Sequence, residues 1–332
     1  MGHFEEQTTQ DLFEKSLITE EQLSQIKEYR GLGIFSLYTE LKLFLYLSVL
    51  LFTTGIGILI YQNIDTIGHV AILSLLLIVT VICFYFCFKK SKGFQKEDSS
   101  FENPVLQYLV LTATLLSCIF IGYIQFQYKL FGTHYGLATL VPTIISFFCA
   151  YYFDNKSVLT IAVTGLAAYI GLSVSPQTLL SNDFYTTDTL SYSAIVLGGL
   201  LILWTIYSSK INLKTHFNFI YLTYALHLIS IATINNLLQG YWLVFAIILG
   251  AFTYYFYKVS YQITAISLFV FTILYGYVGI NIIVFKFLEF VNATDFYELI
   301  MLITPFYIIG SIILLIKLIK NFNKQKANDS IR

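Results

Sequence analysis

Charge is scarce in this chain. Only 11% of its 332 residues are Asp, Glu, Lys or Arg, where a soluble protein carries about 25%. With 57% hydrophobic residues gathered into runs of about twenty, the sequence excludes a soluble domain and reads as an integral membrane protein. Lys+Arg and Asp+Glu both number 19, so no net charge points to nucleic acid. Charge is also missing from the middle of every apolar run. Intramembrane carboxylates and lysines are the usual mark of ion coupling, so their absence argues against a pump built on a buried carboxylate. It argues equally against a membrane protease or a metal hydrolase that needs acidic ligands, but leaves room for a facilitator using neutral polar groups.

Cysteine is sparse too. Cys83, Cys87, Cys118 and Cys149 all fall inside apolar runs, which excludes a disulfide scaffold. Cys83 and Cys87 are one helical turn apart, but two thiols without a His or carboxylate make a poor metal site, and packing residues are the simpler reading. No Gly-rich phosphate loop, nucleophile elbow, CxxC pair or HExxH is present. No metal or other cofactor is expected. Residues 1–41 are polar and acidic, without the basic patch and short apolar core of a cleavable signal, so the first span is expected to act as the insertion signal.

What is present is a succession of apolar stretches: 43–62, 69–88, 106–125, 135–153, 157–174, 191–208, 217–235, 241–257, 261–285 and 298–319. The first, at 1.5 Å per residue, is long enough to cross about 30 Å of hydrocarbon, and the others fall within the range of about 17–25 residues that spanning helices use. The expected fold is all-α: a polytopic membrane domain over 37–320, preceded by a cytosolic helical lead-in over 1–36 and followed by a Lys-rich tail over 321–332, disordered at its end. With the N-terminus placed in the cytoplasm, only Lys129 and Lys286 of the 19 basic residues fall outside, so the positive-inside bias supports ten spans with both termini inside. Spans two, four, six and eight end alike, in FYFCFKK, CAYYFDNK, LWTIYSSK and TYYFYK. A repeated helical hairpin accounts for this pattern, and so does an aromatic belt combined with the lysine bias.

Several residues are candidates for function. His227 sits near the centre of the seventh span with Tyr224 three residues earlier. It reads either as a ligand contact or proton relay, or as a structural hydrogen bond to a Tyr or Ser on a facing helix. Thr53-Thr54-Gly55-Ile56-Gly57 interrupts the first span with small and polar residues, suited to close helix packing or to local unwinding around a cavity. Pro142 and Pro305 lie inside spans and are expected to kink them. Ala167 and Gly171 form a small-xxx-small pair, and Asn281 and Tyr277 are further polar candidates. His69 and His134 fall near the outer ends of their spans and read as interfacial. Asn292-Ala293-Thr294 matches a glycosylation acceptor, which carries no meaning in a bacterium.

Ahead of the membrane, residues 8–30 read as a two-helix hairpin. Thr19-Glu20-Glu21-Gln22 has the pattern of a capping box opening the second helix. The hairpin is too small to stand alone, so it is expected to lie on the membrane surface or to dock on the membrane domain, on a second copy or on a partner. Leu12, Leu17-Ile18-Thr19, Glu21-Gln22 and Ile26, followed by Leu50-Leu51-Phe52-x2-Gly55-Ile56-Gly57, resemble a bacterial family of predicted membrane proteins catalogued as domain of unknown function number twenty-one fifty-seven. The resemblance covers roughly residues 10–65. Ser16 stands where members usually have glycine. The resemblance implies a bacterial cytoplasmic membrane and a short cytosolic helical module ahead of a polytopic domain. It assigns no activity.

Three functions are compatible with these features. The leading one is a transporter-like protein for a small neutral or lipid-like molecule, with His227, Tyr224, Thr53, Thr54 and Asn281 lining a cavity. The alternative is a scaffold or sensor that recruits a partner, or associates with itself, through residues 8–30. An enzyme acting on lipid is least favoured, since only the outer segment 175–190, with Asp183 and Asp188, offers it carboxylates.

Overall fold

In the computed structural model, residues 19, 22–23, 38–99, 101, 103–132, 135–174, 188–239, 241–291 and 297–329 are described. Ten helices dominate them: α1 Tyr38–Ile67, α2 His69–Lys90, α3 Pro104–Tyr128, α4 Tyr135–Phe153, α5 Lys156–Val174, α6 Asp188–Lys210, α7 Asn218–Leu237, α8 Trp242–Ile263, α9 Ile266–Phe290 and α10 Tyr297–Asp329. All ten are long and apolar enough to span a membrane, and no strand occurs among the described residues. The protein is an all-helical, multi-pass membrane protein.

The chain divides into two compact units, Met1–Phe52 and Thr53–Arg332, with the boundary inside α1. In the first unit, the capping box is formed. The Thr19 N–H donates to Gln22 Oε1 at 2.9 Å, and the Gln22 N–H donates to Thr19 Oγ1 at 3.3 Å. The rest of the expected hairpin lies outside the described residues, as do His134, Asp183 and Asn292-Ala293-Thr294.

The second unit is built from helical hairpins. Its four most extensive pairings are α4–α5, α6–α7, α2–α3 and α8–α9. Three of these hairpins turn in the same way. Asp154, Asn212 and Thr264 each adopt the left-handed conformation just past a helix end. In each case the next N–H closes back on the carbonyl five residues earlier: Asn155 to Ala150, Leu213 to Ser208 and Ala265 to Ser260, each at 3.0 Å. This is the Schellman motif, usually built with glycine and here built with Asp, Asn and Thr. Asn155 then serves the following helix, its Oδ1 accepting from the Val158 N–H at 3.1 Å.

All these turns lie at one end of the unit. Lys96–Ser99, Asp154 and Lys214–His216 bond to one another, and Thr215 and His216 share a cleft with Val259 and Gln262. The α2–α3, α4–α5 and α6–α7 connections and the end of α8 therefore face the same side, as the lysine distribution requires of a ten-span thread.

Lipid supplies no hydrophobic drive between helices, so close approach has to come from small residues and hydrogen bonds. A Cβ on Gly165 would collide with Thr143 Oγ1, one on Gly198 would sit 2.5 Å from Ile229 Cγ1, and one on Gly279 would collide with Leu249. These contacts set the spacing of the α4–α5, α6–α7 and α8–α9 hairpins. Hydroxyls inside the bundle bond to their own helices, as when Thr114 Oγ1 donates to the Val110 carbonyl and Thr233 Oγ1 to that of Ile229. The bundle is centred on α7, half of whose span is buried, whereas only Phe322 is buried among the described residues of α10.

The described residues bear on four expectations. A Cβ on Gly55 or Gly57 meets no atom within 4 Å among the described residues, and α1 is helical through both, so they provide neither a tight crossing nor an unwound segment. Pro142 and Pro305 lie inside α4 and α10, and neither ends its helix. The α8–α9 junction falls at Thr264–Ala265, not at 258–260, because the left-handed Thr264 terminates α8 there. The Lys-rich tail continues α10 as helix to Asp329, anchored where the buried Phe322 stacks on Phe269 at 4.5 Å and meets Tyr261 at 4.7 Å; its end, 330–332, lies outside the described residues.

Candidate functional site

The polar residues of the spans are engaged separately. His227 Nδ1 pairs with the Tyr275 hydroxyl of α9 at 2.8 Å, and the imidazole meets the Phe271 ring edge-on. Tyr224 turns to α5, its hydroxyl 2.6 Å from Thr164 Oγ1. Asn281 Nδ2 donates to the Tyr277 carbonyl of its own helix at 2.7 Å. On α1, Thr53 is buried and Thr54 exposed. None of the five lines the cleft described below or the shallow apolar grooves on α6 and between α8 and α9. His69 pairs in the same manner as His227, with Tyr123 at 2.7 Å. Interhelical hydrogen bonds in membranes are worth about 1 kcal/mol. Tyr275→Phe is therefore expected to lower unfolding stability by about that amount, measured by denaturant titration in detergent.

A denser constellation lies at the end of the bundle where the hairpins turn. Its centre is Asp154, 4% exposed, in the α4–α5 turn. Lys214 Nζ, 1% exposed as a residue, lies 3.2 Å from Asp154 Oδ1, and His216 Nε2 lies 2.6 Å from the same oxygen. The other carboxylate oxygen accepts from the Ser99 N–H. Lys214 in turn clasps the α2–α3 connection: its N–H donates to the Lys96 carbonyl at 2.8 Å and its ammonium to the Glu97 carbonyl at 3.3 Å. Lys214 holds a left-handed backbone at φ 48°, at the start of the 3-10 turn Thr215–Phe217 that leads into α7. Nearby, Asn155 Nδ2 donates to the Gln107 carbonyl, and Gln107 Nε2 to that of Phe101. One buried carboxylate thus ties three connections together.

The carboxylates of Asp98 and Asp154 and a nitrogen of His216 lie within 4.8 Å of one another, the spacing of a three-ligand cation site. The Lys214 ammonium already sits against Asp154 and supplies the positive charge that a metal would bring. The donor set therefore reads as an ion-pair network.

His216 links this network to a cleft of about 590 Å3 between the ends of α6 and α8 and the start of α7. Lys210, Ser209, Thr215 and Asn218 give it a polar side, and Ile206, Phe219 and Ile263 are among its apolar residues. A smaller cleft of about 210 Å3 lies beside Ser99, between Lys90, Lys92 and Tyr152. Sequence reading missed Asp154, Lys214 and His216 as a unit. The one available signal was a lone carboxylate, two residues before Lys156, at the end of the fourth span.

No curated protein and no solved structure matches the chain. Residues 10–159, which run from the lead-in through α4 and the Asp154-Asn155 turn, match the family model described as Predicted membrane protein (DUF2157), a family of unknown function.

Proposed function

We propose that this protein is transporter-like and handles a lipid-like molecule, which it takes from the inner leaflet of a bacterial cytoplasmic membrane. The Lys-rich end of the bundle is the cytosolic end, and both termini are cytosolic. The observation that carries this reading is the two-sided lining of the cleft. Lys210, Ser209 and Asn218 suit a polar head, and Ile206, Phe219 and Ile263 suit an acyl chain. The binding surface moves accordingly from the middle of the membrane to the headgroup level, where helix ends and basic side chains meet lipid phosphates. Ile206 is already 43% exposed, so Ile206→Trp fills the cleft without burdening the core. Native mass spectrometry from mild detergent is expected to show co-purified lipid on the wild type and on Leu302→Trp, a control on α10, and its loss from Ile206→Trp. Equal retention by all three would sink the reading.

A scaffold or sensor is the second reading, and one observation favours it. Among the described residues of α10 only Phe322 is buried, which leaves most of an apolar helix to lipid or to another protein. Deleting residues 2–30 separates the two: a protein partner or self-association lost with those residues supports the scaffold, and lipid retained without them supports the cleft.

A further inference from the structure

We propose that the cleft selects an anionic phospholipid whose headgroup bears a hydroxyl, as a glycerophosphate headgroup does. The inference rests on the lipid-handling reading and adds the chemistry of the head. Two observations carry it. The first is charge. Lys210 and His216 line the cleft and no Asp or Glu does. The nearest carboxylate in the network, Asp154, is held by Lys214. No ion pair among the described residues engages Lys210, so its ammonium is left for a phosphate.

The second observation is an orphaned acceptor. Asn218 lies on the cleft wall, and its Oδ1 is buried with no hydrogen-bond partner among the described residues. The hydrogen-bond network assigns the amide's orientation. Asn218 Nδ2 donates to Ser209 Oγ at 2.8 Å, and the Ser209 hydroxyl spends its own proton on the Thr205 carbonyl, also at 2.8 Å. With the Ser209 proton on the Thr205 carbonyl, the hydroxyl is left to accept from Nδ2, and in that assignment Oδ1 is the unsatisfied atom. Buried acceptors are costly to leave empty, and this one calls for a donor brought by the ligand. An ammonium would stand beside Lys210 and be repelled. A hydroxyl on an otherwise anionic head meets both demands.

The test compares two lipids of equal charge and equal chains, dioleoyl phosphatidylglycerol and dioleoyl phosphatidylethanol, of which only the first carries headgroup hydroxyls. Full-length protein is exchanged into micelles containing both, and the retained lipid is read by native mass spectrometry. The wild type is expected to prefer phosphatidylglycerol about fivefold, the scale of one net hydrogen bond. Asn218→Leu is expected to retain the two equally, and Lys210→Gln to lose affinity for both alike. Ser209→Ala breaks the same side-chain contact as Asn218→Leu but keeps the acceptor, so it must keep the preference. Equal retention by the wild type overturns the headgroup inference. When both lipids are then still lost from Ile206→Trp, the lipid-handling reading stands. When they are not, it falls as well. Loss of preference in Ser209→Ala also overturns the role of Asn218.

Discussion

Asp154→Ala is expected to destabilise the membrane domain by about 3–5 kcal/mol, the cost of leaving one member of a buried ion pair alone. The side chains of Asp154 and Lys214 are both fully buried. Without the carboxylate, Lys214 Nζ keeps the Glu97 carbonyl at 3.3 Å and the Phe94 ring at 5.9 Å, neither of which carries a balancing charge. The Ser99 N–H loses its acceptor at the same time, so the α2–α3 connection loosens along with the other two. Asp154→Asn keeps an acceptor for Ser99 but not the charge, and should fall between alanine and wild type. The double variant Asp154→Leu/Lys214→Met removes both charges, and is expected to recover most of the loss, since a buried pair replaced by apolar groups of similar size is often neutral. Denaturant titration in detergent measures all four proteins. Asp154→Ala within about 0.5 kcal/mol of wild type would mean that water reaches the pair and that the network does not hold the connections.

The reach and the limits of sequence reading follow from the same physics. Membrane spans announce themselves because the bilayer demands about twenty apolar residues in a row, and α1 to α10 were legible for that reason. Lysine placement gave the alternation of ends, which the contacts among Ser99, Asp154 and Lys214 reproduce. The capping box at Thr19 and Gln22 was legible because it is local. Apolar runs say nothing of where one helix stops and the next begins when the turn is two residues long, hence the displaced junction at Thr264–Ala265. The Asp154 network was not legible at all. Its members come from three connections far apart in sequence, and each alone resembles an ordinary solvated residue at a helix end. Attention to charges within the spans led instead to His227, whose partner Tyr275 lies two helices away.

Glycines make the same point with a measurable consequence. Gly198→Ala and Gly165→Ala are each expected to cost about 1–3 kcal/mol, the range for overpacking a filled site. Gly55→Ala and Gly57→Ala should be neutral, or stabilising by up to about 1 kcal/mol, since a Cβ there meets no described neighbour and alanine is the better helix former. The ranking depends on what the new methyl strikes. At Gly198 it meets Ile229 Cγ1, held close to the backbone by the branched Cβ, and the Ala225 carbonyl at 3.3 Å. At Gly165 it meets Thr143, whose hydroxyl is committed to the Thr139 carbonyl at 2.7 Å and whose Cβ lies 3.3 Å away. Gly279 faces Leu249 Cδ2, the far end of a flexible side chain, so Gly279→Ala should be the mildest of the three. Small residues in α1 and in the hairpins look alike in sequence, but only those whose missing side chain a neighbour fills contribute to association. Gly198 carries a further consequence, because α6 and α7 frame the cleft at Lys210 and Asn218. Forcing these helices apart at Gly198 should weaken lipid retention as well as stability, whereas Gly165→Ala, in a hairpin that does not line the cleft, should change stability alone. Equal lipid loss from both variants would show that retention follows general destabilisation, and would detach it from the geometry of the α6–α7 pair.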